Sequence, residues 1–325
     1  MLQEQVVKLA SISGFQLLET HISWVLLGKE HVFKIKKPIK YPFLDFSTLK
    51  DRKKYCQNEV KLNSRLSNIY LDVLPITNEK GEIYVDGRGK TIDYAVRMKR
   101  MQTGKRMDIM LTKNKVEMSQ MLNLAEKIAE FHLKATIVRP VFSKRILKNT
   151  FNEIRSVRDW IKENLSSKYA SDLDRMIIYS DRFIDKHSGL IKKRIKEGYY
   201  RDVHGDLHSR NIFLYRDPVI FDCIEFNDSF RQIDVLNEVA FFCMDLEAHG
   251  RNDLSNGFMN HYLELSPCMN TDEERLLFNY YKCFRANVRA KVNTLRAMQT
   301  VDPTEIEVYS REIRDYIRMM VSLND

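Results

Sequence analysis

The chain has 325 residues, of which 44% are hydrophobic and 30% charged, with a net charge of +9. That is the profile of an ordinary globular protein, with enough chain for one large domain or two lobes. No apolar run is long enough to span a bilayer, and the start MLQEQVVKLA lacks a secretory pattern. The five cysteines are scattered and form no Cys-x-x-Cys pair, which favours reduced thiols in a cytoplasm over a disulfide framework or a zinc site. The basic surplus gathers at Lys34-Ile-Lys-Lys and at Lys50 to Lys54, the latter reading as a solvated helix face. Such a surplus suits a phosphorylated ligand, an acidic lipid or nucleic acid. The absence of zinc-finger spacing, an RNP-type motif or a long basic tail argues against nucleic acid as the main partner. Nothing in the sequence fixes an oligomeric state.

In chain order, the first hundred residues read as strand-rich. Short runs at Phe15 to Glu19, Ser23 to Leu27 and His31 to Lys36 precede a helix from near Ser47 to near Leu66. Strands at Leu71 to Ile76 and Ile92 to Met98 follow, with turn chemistry at 78–81 and 86–89 between them. Beyond Arg100 the pattern becomes helical. Asn114 and Glu117 suit a helix start, and Met118, Met121, Leu122, Ala125, Ile128, Ala129 and His132 repeat at helical spacing. His132 lies on that apolar stripe and reads as a core histidine with a hydrogen-bond partner. Helices are expected at Leu147 to Leu165, Ala170 to Lys196, Thr271 to Met298 and Thr304 to Val321, with a capping box at Thr271 and Glu274.

Residues 204–225, HGDLHSRNIFLYRDPVIFDCIE, interrupt the helices and carry the most information. Asp206 stands five residues before Asn211, which opens the apolar run Ile212-Phe213-Leu214. Arg216-Asp217-Pro218 marks a turn, and Val219-Ile220-Phe221 delivers Asp222. Two strands joined by that turn hold Asn211 and Asp222 at one end of a hairpin. Oxygen ligands for Mg²⁺ and a carboxylate aimed at an attacking hydroxyl are what phosphoryl transfer requires.

A cationic partner comes from the first hundred residues. Strand alternation puts Val32, Lys34 and Lys36 on one face. On the following helix Glu59 aligns with Tyr55, Leu62 and Leu66, on the face that packs inward. A buried carboxylate needs a cation, and Lys34 is the best candidate.

The order of strands with Val-x-Lys, a helix with Glu, further strands, helices, acid-x₄-Asn and a strand-borne Asp resembles the protein-kinase-like fold. The form His-Gly-Asp-Leu-His-x-x-Asn resembles the aminoglycoside phosphotransferase and choline kinase branch. The stretches ETHISWVLLGKEHVFKIKKPIKYPFLDFSTL and FRQIDVLNEVAFFCMDLE are similar to an uncharacterised bacterial group within that branch, in which the kinase-like region is sometimes fused to a P-loop ATPase domain whose motif does not occur in these residues. The resemblance implies an α+β, two-lobed fold: a β-rich nucleotide-binding lobe with one main helix over 1–100, and a mostly helical catalytic and substrate lobe over 101–325.

It further implies an ATP- or GTP-dependent transfer of the γ-phosphate to a hydroxyl of a small-molecule acceptor. Asp206 would be the catalytic base, and Asn211 and Asp222 the Mg²⁺ ligands. Lys34, positioned by Glu59, would contact the phosphates. Val32 would line the adenine pocket, and Val96-Arg97-Met98-Lys99 would form the hinge whose backbone reads adenine. His204 would orient the catalytic loop, and His208 and Arg210 would touch the phosphate or brace that loop. Glu225 would be a further metal or substrate contact or a surface residue, and Asp234 a structural acid. The acceptor would lie near Arg285 and Arg289 if those arginines are not simply part of the core.

The chain departs from the pattern at two places. No glycine occupies the loop between the first two strands, Glu19-Thr20-His21-Ile22-Ser23, so its phosphate contacts would come from Thr20, Ser23 or His21. Cys223-Ile224 follows Asp222 in place of Phe-Gly, and no Ala-Pro-Glu follows. Two alternatives therefore stand beside the main reading: a protein Ser/Thr kinase or autokinase, and a nucleotide-binding pseudoenzyme.

Overall fold

A computed structural model describes residues 1–41 and 44–324. Helix α1 (Gln3–Ser13) opens the chain and packs Val6, Leu9 and Ala10 inward. Strands β1 (Gln16–Glu19), β2 (Ser23–Leu27) and β3 (His31–Lys36) follow, then the short pair β4 (Lys40–Tyr41) and β5 (Leu44–Asp45). Thr48 caps helix α2 (Leu49–Asn63) by accepting from the Asp51 amide. Strands β6 (Tyr70–Glu79), β7 (Glu82–Val85) and β8 (Lys90–Lys99) complete a six-stranded sheet in the order β1-β2-β3-β8-β6-β7, its described pairings all antiparallel. A buried cluster of Val6, Leu9, Trp24, Leu26, Ile35, Ile76, Ile83 and Ala95 joins α1 to this sheet.

Helix α3 (Met107–Thr112) leads to α4 (Met118–Lys134), α5 (Lys144–Asn152), α6 (Arg158–Asn164) and the long α7 (Ser167–Glu197). Strand β9 (Tyr200–Asp202) precedes the hairpin β10 (Ile212–Phe213) and β11 (Val219–Ile220); α8 (Asp228–Arg231) and β12 (Gln232–Asp234) come next. Four helices finish the chain: α9 (Val235–Ala248), α10 (Asn252–Leu265), α11 (Asp272–Ala297) and α12 (Pro303–Ser322).

Two compact units result. Met1–Asn114, His204–Asp206 and Arg210–Arg231 form one; Lys115–Val203, Leu207–Ser209 and the chain from Gln232 onward form the other. The helical unit is built on Phe151, Ile154, Ile161, Leu173, Ile177, Phe241, Met244, Ala286, Ile313 and Ile317. Its His132 is a satisfied core histidine, held by the Tyr262 hydroxyl and the Glu238 carboxylate, each at 2.8 Å. No helix among the described residues is long and apolar enough to cross a membrane.

Several local expectations needed correction. Asn114 takes a left-handed φ of 51°, and Glu117, not Asn114, caps α4. The stretch expected as one helix over 147–165 is broken by a 3-10 turn at Glu153–Val157, where Ile154 and Val157 enter the core. Arg52 is not on a solvated face; it is buried, bonding Asp93 at 2.8 Å and the Phe46 carbonyl at 3.0 Å. Strand β7 and helices α1, α9 and α10 lie outside the elements expected from the sequence.

Candidate active site

Strands β10 and β11 pair Ile212 with Ile220 and Phe213 with Val219. The Phe221 amide donates to the Asn211 carbonyl at 3.0 Å, so Asn211 and Asp222 do stand at one end of the hairpin. Asn211 is buried and donates its side-chain nitrogen to the Asp206 carbonyl at 3.0 Å and to the Asp206 carboxylate at 3.1 Å.

His204 ties this loop to the strand. Its Nε2 lies 2.9 Å from the Phe221 carbonyl, which can only accept, and its Nδ1 accepts from the Asp206 amide at 3.2 Å. Both nitrogens are used and the ring is the neutral Nε2–H tautomer. The Ile224 amide donates back to the His204 carbonyl at 3.2 Å. Between them Gly205 adopts a φ of +86°, and a Cβ there would lie 2.7 Å from the Phe230 carbonyl oxygen.

Asp222 has a left-handed φ of 64°, a conformation that costs most residues 1–2 kcal/mol in order of magnitude and that aspartate tolerates better than most. Two bonds hold it. The Asp222 amide donates to the Tyr70 hydroxyl at 2.9 Å, and the Cys223 amide donates to Asn63 Oδ1 at 2.9 Å. Asn63 also donates to the Glu59 carbonyl, one turn back on α2. The side chain of Asp222 stays 42% exposed.

Lys34 Nζ bonds Glu59 Oε1 at 2.8 Å and Asp222 Oδ1 at 2.5 Å. The other Glu59 oxygen accepts from Lys36 Nζ at 2.7 Å, and Lys36 also bonds Glu225. Glu59 and Lys36 are completely buried. Burial works against charge on Lys34, yet the carboxylates of Asp222, Glu59 and Glu225 override it and hold its pKa well above that of an ordinary lysine. Burial likewise opposes ionisation of Glu59, but the two lysines reverse the effect and lower its pKa. For Glu225 burial wins over Lys36, and its pKa is raised.

Val32 pairs with Met98 across β3 and β8, and both pack with Cys56, Ile69, Tyr70, Val96, Met101, Val219 and Phe221. Strand β8 is flanked on one side by β3 and on the other by β6 through Val96, Arg97 and Met98. The Lys99 amide bonds the Ile69 carbonyl and the Arg100 amide the Glu30 carbonyl. The expected hinge at 96–99 is therefore sheet, and the chain leaves the sheet only at Arg100.

At the β1–β2 turn, the Thr20 hydroxyl donates to the Ser23 carbonyl at 3.0 Å and accepts from the Ser23 amide at 2.9 Å. Its one hydrogen is committed to closing the turn, and Ser23 is fully buried. His21 stacks on Tyr41 with centroids 5.0 Å apart.

Other candidates belong to the helical unit. His208 is buried with its ring 5.4 Å from Phe241, and helps to keep the buried Asp245 carboxyl low. Asp245 in turn accepts from the Ser209 amide at 2.8 Å. Asp234 caps α9 through the Leu236 amide and takes a two-pronged ion pair from Arg194 at 2.6 and 2.8 Å. Arg285 bonds Asn237 Oδ1 at 2.7 Å and lies over the Phe241 ring, while Arg289 lies over Tyr316. Arg210 stays half-buried in the β-rich unit.

This architecture has solved counterparts. A choline kinase from Cryptosporidium parvum matches with a TM-score of 0.56 at 12% identity, covering 95% of this chain and 88% of its own. APH(2")-IIia, solved with GDP and kanamycin, matches at 0.54 and 13% identity, covering 95% and 92%. A choline/ethanolamine kinase family protein from Mesorhizobium loti matches at 0.53 and 13%, covering 98% and 93%. The fold is that of the aminoglycoside and choline kinases.

At these identities the likeness establishes this kinase-like fold and no more. No protein-family model matches the chain. Uncharacterised proteins of Mycobacterium bovis and of two Mycobacterium tuberculosis strains are 31% identical over 287 residues, 86% of this chain. The chain spans about half, 55%, of the length of these relatives.

Among the described residues of this kinase-like fold, no group of three or more His, Cys, Asp and Glu forms a closed cation site. Mg²⁺ asks less of a protein, commonly one or two carboxylates with phosphate oxygens and water supplying the rest. The exposed Asp222 carboxylate fits that role. So does Asn211, whose amide oxygen points away from Asp206 because its nitrogen points toward it.

Residues that the sequence reading missed are Asn63, Tyr70, Asp245 and the role of Lys36. Asn63 follows Glu59 by four residues and so shares its helix face, and Lys36 shares the strand face of Lys34. Asp245 is an acid within the apolar run of α9. Tyr70 gave no signal.

Proposed function

We propose that this chain is an ATP- or GTP-dependent phosphotransferase that moves the γ-phosphate to a hydroxyl of a small molecule. The observation that carries this reading is the Lys34 ammonium, shared between Glu59 on α2 and Asp222 after the hairpin. An ammonium held by one fully buried acid and one exposed acid is arranged to turn toward phosphate while the exposed acid turns to a metal ion.

In this reading Lys34 neutralises phosphate charge, and Asn211 and Asp222 hold Mg²⁺. The ion, when bound, supplies charge neutralisation across the phosphate oxygens. Asp206 accepts the proton of the acceptor hydroxyl as its oxygen attacks the γ-phosphorus, and the bond from that phosphorus to the leaving diphosphate breaks. His204, with both nitrogens engaged, orients the loop. Val32, Met98 and Met101 line the apolar side of the base pocket, and the backbone at Arg100 to Gln102, where the chain leaves the sheet, replaces 96–99 as the segment that reads the base. Catalysis rests on positioning and electrostatics, with little covalent work for the protein.

The solved kinases of this fold include proteins named for choline, and one bound to GDP and kanamycin, which supports hydroxyl-bearing small molecules as the class to test. Incubation with ATP or GTP and a panel of amino alcohols and aminoglycosides, followed by mass spectrometry of both the compounds and the protein, tests the reading. Phosphate on a small molecule is expected. Phosphate on the protein alone would replace this reading with a protein kinase.

One observation favours a second reading, a nucleotide-binding protein without transfer. The glycine-free turn spends its Thr20 hydroxyl on itself. Nucleotide binding without turnover of any compound or of the protein would select it.

A further inference from the structure

The Lys34–Glu59 pair and the exposed Asp222 do not account for Lys36 and Glu225. These two are buried side chains beside the site, and a second lysine on the same strand face is not needed to contact phosphate. Lys36 is completely enclosed; Glu225 is 4% exposed. The Lys36 ammonium is satisfied on three sides: by Glu59 Oε2 at 2.7 Å, by Glu225, and by the face of the buried Phe46 ring at 4.9 Å. It cannot be reached by a ligand without unpacking α2 from the sheet.

Charges alternate along the cluster, Asp222 to Lys34 to Glu59 to Lys36 to Glu225, across three pieces of chain. Lys34 and Lys36 are on β3, Glu59 is on α2, and Asp222 and Glu225 are three residues apart after β11. Resting on the functional reading above, we infer that Lys36 is a positioning residue: it fixes the Glu59 carboxylate from behind and, through Glu225, anchors the turn that presents Asp222. Lys34 and Asp222 have to part from each other when a nucleotide and its metal ion take their charges. The Glu59–Lys36–Glu225 segment has no such competitor, so it is the part of the cluster that stays in place. Glu59 could not otherwise keep Lys34 aimed once Lys34 shares its charge, and the Asp222 turn would lose its tie to β3.

A structural pair and a positioning pair make different predictions for two variants. Lys36→Met leaves Glu225 buried and unpaired, which destabilises the fold. Lys36→Met combined with Glu225→Gln removes both charges of that pair and restores much of the stability, because an uncompensated buried charge is worse than none. Neither variant retains the anchor. The experiment titrates ADP, and separately GDP, into the full chain by calorimetry with and without Mg²⁺, beside chemical unfolding of the same proteins. In the wild type Mg²⁺ should tighten nucleotide binding. In both variants that Mg²⁺-dependent gain should fall by about 10-fold to 100-fold, the range for outer residues that orient metal ligands, although the double variant has regained stability. Lys36→Arg, which keeps the charge, should retain part of the gain. A double variant that regains stability and the full Mg²⁺ effect together would overturn the inference, as would an undiminished Mg²⁺ effect in Lys36→Met. A wild type that binds neither nucleotide in either condition would overturn the functional reading itself, and this inference with it.

Discussion

Asn211 donates its side-chain nitrogen to Asp206 twice, to the main-chain oxygen at 3.0 Å and to the carboxylate at 3.1 Å. One amide thereby fixes both the course of the loop and the direction of the acid it carries. The same residue sits beside Asp222 at the end of the hairpin, where its main-chain carbonyl accepts from the Phe221 amide at 3.0 Å. The proposed base and one of the two proposed metal ligands are thus joined by hydrogen bonds, and each can be tested separately.

Asp206→Asn preserves shape and hydrogen-bonding capacity while removing the base. Turnover of whichever acceptor the wild type phosphorylates should fall by about 10²- to 10⁴-fold, the usual worth of a positioned general base. Nucleotide affinity and thermal stability should stay close to wild type. Steady-state kinetics beside a nucleotide titration checks this, and equal turnover in the two proteins rules out Asp206 as the base.

Glu59→Gln removes the acid that both lysines share. With Glu59 fully buried, the loss should be about 3–5 kcal/mol in urea unfolding, as for other buried pairs broken on one side. The variant should also flatten the acid limb of stability against pH. Lys34 and Lys36 hold the Glu59 carboxyl below its ordinary pKa although burial opposes them, so on acidification the unfolded chain takes up that proton first. The contribution is full at neutral pH and fades below about pH 5, toward the depressed folded value. Glu225 works with the opposite sign. Burial raises its pKa, the folded chain binds that proton first, and its contribution declines as pH rises through the raised value. An acid limb as steep in Glu59→Gln as in wild type would contradict the assignment.

Gly205→Ala should disturb the loop. A left-handed φ of +86° and a backbone oxygen 2.7 Å from the added carbon leave nothing flexible to yield. The expected cost exceeds about 1 kcal/mol, seen as a lower melting temperature together with weakened Mg-nucleotide binding. A variant with wild-type melting would show that the loop has room the structure does not give it.

Thr20→Ala separates two roles of a hydroxyl. Closing the β1–β2 turn with two hydrogen bonds makes it worth about 1 kcal/mol of stability. Nucleotide affinity should change by less than about tenfold, or 1.4 kcal/mol. A larger loss of affinity with unchanged stability would assign Thr20 to phosphate instead.

What could be read from the sequence was what has a period or a spacing. The strand at His31 to Lys36, the helix bearing Glu59, the turn at 216–218 and the capping box at Thr271 all announce themselves locally. The Lys34–Glu59 pair could be inferred because an acid on an inward helix face needs a cation. Partners chosen by tertiary packing could not. Tyr70 reaches Asp222 from a strand 152 residues away in sequence, and Lys36 finds Glu225 across 189. The stretch Val96 to Lys99, expected as a hinge, lies in the sheet, and only the pairing of β8 on both sides shows how far that strand runs. Thr20 is a candidate phosphate contact by its chemistry, whereas its hydroxyl bonds the main chain of Ser23, a contact that only the folded turn reveals.

The most direct measurement is a calorimetric titration of ADP and of GDP, with and without Mg²⁺, into the wild type and into Asp222→Asn. The account predicts that one nucleotide binds the wild type, that Mg²⁺ tightens it, and that Asp222→Asn keeps the Mg²⁺-free affinity while losing the tightening. A wild type that binds neither nucleotide, or an Asp222→Asn protein with an undiminished Mg²⁺ effect, would contradict it.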